Sequence, residues 1–122
     1  MSKRHLQNNI VSKNFGCSAA SIILENELRR TGRQRAYGKS KTIFDRFNVI
    51  LNELALSNND AVKVHMSTLA LHDFKNKVMN SKSKCFDEFT KSHLCNVIQG
   101  MYRDFLEDMG ERRFDRAIFG KA

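Results

Sequence analysis

Apolar positions recur along this chain at helical spacing. The clearest stripe is Ile43, Phe47, Ile50, Leu51 and Leu54, at offsets of 4, 7, 8 and 11 from its first member, as one face of an amphipathic helix requires. Thr42 can cap that helix with Asp45 three residues on, and Ser, Asn and Asp at 57–60 favour a turn that ends it. Upstream, Ser18 can cap a helix through about Arg30 that buries Ile22, Ile23 and Leu28. Gly32 then stands where a helix closes on a left-handed residue.

Residues 67–79 continue the helical pattern with Leu71, Phe74 and Val78 inward, and residues 80–84, NSKSK, form a basic polar turn. The last long helix is predicted over 85–109, with Leu94, Val97, Ile98, Met101, Phe105 and Met109 on one face and Lys91, Gln99, Arg103 and Glu107 off it. Gly110 is expected to end it, and residues 111–122 to add a short turn holding Phe114 and Ile118. Residues 1–16 show no periodicity and are expected to be a flexible basic arm. Residues 17–122 then make a single domain, of a size that buries one modest core. The fold expected is all-α, with four or five helices and no internal repeat. The absence of proline suits uninterrupted helices.

One stretch reads two ways. As a strand, residues 61–66 place Val62, Val64 and Met66 on a core and Lys63, His65 and Ser67 outward; as a helix, Val62, Met66, Ala70, Phe74 and Val78 align at steps of four. The helix is favoured because the chain offers no second strand, and a lone strand would have to pair with a second copy. On the strand reading, residues 61–109 run strand, helix, basic turn, helix, an order that resembles the ribbon-helix-helix family of dimeric DNA binders. That resemblance implies a two-stranded ribbon carrying Lys63, His65 and Ser67 into a major groove, with Ser83 and Lys84 on a phosphate. Asn80 stands where the family usually has a glycine in its turn.

Charge changes the picture at one place. Net charge is +8, and residues 1–41 hold nine Lys/Arg against two acids, leaving twelve against eleven for the remainder. Within residues 29–41, Arg29, Arg30, Arg33, Arg35, Lys39 and Lys41 stand together with no acid. Solvent or a polyanion must separate or neutralise such a run, and phosphate is the polyanion most available to an intracellular chain. Tyr37, in the middle of the run, is a candidate for stacking on an unpaired base, and Lys82 and Lys84 add cations further on. Arg29 and Arg30 also suit a helix C-terminus on dipole grounds alone.

Other chemistries find little purchase. Residues 32–40, GRQRAYGKS, miss the phosphate-cradling P-loop by one residue, since five separate the glycines where four are needed, and no buried strand precedes them. Cys85, His93 and Cys95 lack the paired spacing of a zinc site, and His65 and His72 have no third ligand. No nucleophile elbow, HExxH pair or cysteine-protease signature is present, so the expectation is a non-enzyme without metal or cofactor. Three cysteines without paired spacing, no signal-like segment and no apolar run of about 20 residues suggest a cytoplasmic, non-membrane protein.

The sequence thus predicts a small nucleic-acid-binding regulatory or accessory protein of bacterial, phage or plasmid type. It would bind DNA or RNA backbone through residues 29–41, as a homodimer with the last helix as seam, and possess the surface to join a larger protein or nucleoprotein complex. The alternative is an inhibitor or adaptor that presents the same basic face to an acidic protein.

Overall fold

A computed structural model describes Phe15, the backbone of residues 19–118 and the side chains of residues 21–110. Four helices account for almost all of it: α1 (Ala19–Arg30), α2 (Gln34–Ala55), α3 (Asp60–Met79) and α4 (Glu88–Ile118). No strand occurs among the described residues, and no described helix is long and apolar enough to cross a membrane. Both α2 and α4 touch all three other helices, whereas α1 and α3 do not meet. The architecture is therefore a central α2–α4 pair with α1 and α3 on its flanks.

The core is the set of leucines, aromatics and methionines that these helices turn toward one another. Leu24 and Leu28 of α1, Phe44, Phe47 and Leu51 of α2, and Leu71 and Val78 of α3 close around α4. From α4 come Leu94, Val97, Ile98, Met101, Phe105 and Met109, all buried as their spacing predicts. Phe15, assigned by its sequence to the arm, is fixed in this core. Its ring meets Phe105 edge-on at 5.8 Å, and its N–H donates to Asn48 Oδ1 at 2.8 Å. The rest of the expected arm, the Ser18 cap, and the side chains of Phe114 and Ile118 lie outside the described residues.

Several boundaries differ from the sequence expectation. The α1–α2 connection is only residues 31–33, closed by Arg33 N–H on Leu28 O (2.7 Å) and Gly32 N–H on Arg29 O (3.1 Å), with Gly32 at φ 73°. That is a Schellman closure, and it lets α2 begin at Gln34, two turns before the expected Thr42. Arg, Gln, Ala and Lys all favour helix, and buried Ala36 and Ser40 extend the Phe44–Phe47 stripe backward. Thr42 instead donates its hydroxyl to Gly38 O, and Asp45 takes Lys41. Ile22 and Ile23 of α1, expected inside, are exposed, because Leu24 and Leu28 are the pair that turns inward. Gly110 does not stop α4, which runs through it in helical geometry to Ile118.

Residues 61–66 are helical, as the missing strand partner required. Asn59 caps α3 by accepting Val62 N–H at 3.1 Å. The two-stranded ribbon therefore has no place here. The rotation of α3 nonetheless departs from the expected step-of-four stripe: Lys63, Ser67, Leu71 and Val78 face inward, and Val62 and Met66 outward. Lys63 is only 6% exposed and lies 3.7 Å from Asp60, so it is not the peripheral lysine that a helical reading suggests.

Candidate nucleic-acid interface

The turn between α1 and α2 packs beside the loop that joins α3 to α4. Together they enclose an open cleft of about 240 Å³ lined by Gly32, Arg33, Arg35, Ala36, Lys84, Cys85 and Asp87. Local sequence explains why these parts meet. Gly32 turns the chain sharply, Ala36 keeps the α2 side flat, and residues 81–87 are held low by Ser81 and Ser83 hydroxyls accepting Ser83 and Cys85 N–H groups. The first turn of α2 has neither a side-chain cap nor an acid, so the positive end of its dipole adds to the cations at the cleft.

Carboxylates that the basic run itself lacks reach it from neighbouring segments. Glu25 pairs with Arg29 at 2.8 Å, Glu27 with Arg30 at 2.6 Å, and Asp45 with Lys41 at 3.1 Å. Asp87 Oδ2 lies 3.0 Å from Arg33 Nη1, an ion pair out of line for a hydrogen bond. Arg30's hydrogen bonds hold the Glu27 carboxyl below its usual range. These pairs lie at the surface, where solvent and salt screen them, so a phosphate can displace them at little cost. Arg35, Lys39, Lys82 and Lys84 are exposed and form no ion pair among the described residues.

The residues singled out in the sequence separate into groups. Arg33, Arg35 and Lys84 share the cleft; Lys82 stands in the same loop, and Lys39 one turn along α2 from Arg35. Arg29 and Arg30 lie on the solvent side of the last turn of α1. Tyr37 is half-buried against the core, with Arg29 at 6.0 Å over its ring; burial and then the Glu25 carboxylate raise its hydroxyl pKa. Lys63 and His65 belong to the first turns of α3, the far end of that helix from this loop, roughly 20–25 Å along its axis.

Three participants escaped the sequence reading. Arg46 is exposed on α2 at offsets of 7 and 11 from Lys39 and Arg35, a helical spacing visible only once α2 is known to begin at Gln34. Asp87 gave no signal as a partner of Arg33. Phe89, in the first turn of α4, has Arg33 over its ring at 5.3 Å and His93 against it at 4.3 Å. Among the described residues no three His, Cys, Asp or Glu side chains gather as metal ligands. Compared with protein-family models, curated proteins and solved structures, the chain matches none.

Proposed function

We propose that this chain is a nucleic-acid-binding protein and not an enzyme, and that it holds phosphate groups along the cleft between the α1–α2 turn and the α3–α4 loop. The observation carrying the reading is the convergence of Arg33, Arg35 and Lys84, from segments about 50 residues apart in sequence, on one open cleft beside an uncapped helix start. Lys39, Arg46 and Lys82 extend the cationic surface to either side. Backbone contacts of this kind supply affinity and position without sequence information. The role proposed is regulatory or accessory, of the type small bacterial, phage or plasmid proteins fill, in the cytoplasm.

Titration over salt tests this. Binding of labelled DNA or RNA should weaken linearly in log affinity against log salt, and replacing Arg35, Lys39 and Lys84 together with Ala should flatten that line by about 0.7–0.9 for each phosphate no longer neutralised. An unchanged slope and affinity would remove the cleft from the interface. A second reading, a protein partner, is favoured by Val62, Met66 and Leu69, which stand exposed at offsets of 4 and 7 on α3. We assign that stripe to self-association as a homodimer, since the expected α4 seam is consumed inside one chain.

A further inference from the structure

We propose that the ligand of this cleft is single-stranded nucleic acid, and that the strand is gripped by a base stacked on the planar groups of Arg33, Phe89 and His93. The inference rests on the nucleic-acid reading above and adds the kind of strand and the way it is held. Arg33 is the shared member. The residue lines the cleft, and its guanidinium lies over the Phe89 ring, 5.3 Å from the centroid. The His93 ring continues the series, 4.3 Å from Phe89 and tilted by 51°. Phe89 is 38% exposed and takes no part in the hydrophobic core. A large aromatic side chain left part-exposed at the surface beside a guanidinium and an imidazole presents, with them, a patch of planar groups on which a base can lie.

Chemistry selects the occupant. Aromatic faces and guanidinium planes both stack bases, whichever base is presented. A duplex keeps its base faces inside and offers phosphates and groove edges, so it can use the cations and not the platform. An unpaired strand uses both, its base on Phe89 and its neighbouring phosphates on Arg35 and Lys84. The cleft, at about 240 Å³, falls below the roughly 300–1,000 Å³ of pockets that enclose a drug-sized ligand. It therefore suits part of a longer strand lying across its mouth better than a free nucleotide swallowed whole. Tyr37, the aromatic that the sequence offered for this task, is half-buried against the core beside Glu25.

Three probes separate the possibilities: an oligothymidine of roughly 12 nucleotides, within the site sizes of single-strand binders, an abasic strand of equal length, and the matching duplex. Wild-type protein should bind the oligothymidine about 5- to 150-fold more tightly than the abasic strand, the range for one stacked base, and more tightly than the duplex. Phe89→Ala should lower the affinity for oligothymidine to that for the abasic strand, erasing the preference for bases. Because the chain has no tryptophan, Phe89→Trp introduces a single fluorophore that preserves a stacking surface. Its emission should be quenched by oligothymidine and not by the abasic strand. Circular dichroism checks the fold of both variants, and the Trp variant carries the test alone if the Ala variant fails to fold. Equal affinity for base-bearing and abasic strands, an unmoved Trp signal, or a duplex bound as tightly as the single strand overturns the stacking and leaves the electrostatic reading standing. Failure to bind any nucleic acid at low salt overturns both.

Discussion

Asp87 joins the start of α4 to the cationic cleft. Its Oδ1 accepts Thr90 N–H at 2.9 Å, and its other oxygen faces Arg33. The Thr90 hydrogen bonds, with Arg33 a smaller influence, hold its carboxyl below the ordinary value of 3.8. A depressed folded pKa contributes stability that is present above the unfolded pKa and lost as pH falls through the folded one. Asp87→Ala should therefore cost about 0.5–2 kcal/mol at neutral pH, the usual range for a lost helix cap. Asp87→Asn still caps and should cost less. The gap between wild type and Asp87→Asn in urea unfolding should shrink from pH 7 to pH values below 3.8, and a gap that stays constant would refute the assignment. Replacing Asp87 also frees Arg33, so either variant should bind nucleic acid at least as well as wild type.

Gly32 and Gly38 lie within the same basic run and look alike in the sequence, yet they play opposite parts, one closing a helix and the other inside one. Gly32 sits at φ 73° in the closure of α1, a conformation that L side chains rarely adopt, whereas Gly38 lies inside α2 with open space where a Cβ would go. Gly32→Ala should destabilise by about 1 kcal/mol. Gly38→Ala should stabilise by about 0.5–1 kcal/mol. Thermal melts of the two variants moving in the same direction would contradict the placement of the α2 start. The same start explains much of what the sequence concealed. With α2 taken from Thr42, the basic run looks like a loop of unneutralised charge; with α2 from Gln34, Lys41 reaches Asp45 one turn on, and Arg35, Lys39 and Arg46 come to one side. Element existence was legible from the apolar stripe, and the boundary was not, because charged helix formers continue a helix without adding to its apolar pattern.

For the whole molecule, the position of α4 decides which surface is left for partners. Val97 and Phe105 are fully covered within one chain, so Phe105→Asp should unfold the protein, as burying an unpaired charge in a core does. The proposed homodimer instead joins through Val62, Met66 and Leu69 of α3. Light scattering at micromolar concentrations should give the mass of two chains for wild type and of one for Met66→Asp with Leu69→Asp, the helical circular dichroism staying unchanged. A single-chain mass for wild type would sink the dimer. The cleft and the α3 stripe belong to different parts of the surface, so the double variant should keep its affinity for nucleic acid per chain.

By itself the sequence determined the all-helical class, the stripe of α4 and its burial, the left-handed closure at Gly32 and the turn at 57–60. These are set by side chains within a few residues of each other, through helical periodicity, backbone freedom and capping. Tertiary structure alone decided which side of α1 and α3 faces inward, so that Leu24 is buried and Ile22 is not, and Lys63 is buried and Met66 is not. It also decided which charges meet. Asp87 lies 54 residues from Arg33, and Lys84 reaches the same cleft from the far side of α3. Rotation of a helix and the pairing of distant charges depend on how whole faces fit one another in space, and no local pattern in the chain encodes that fit.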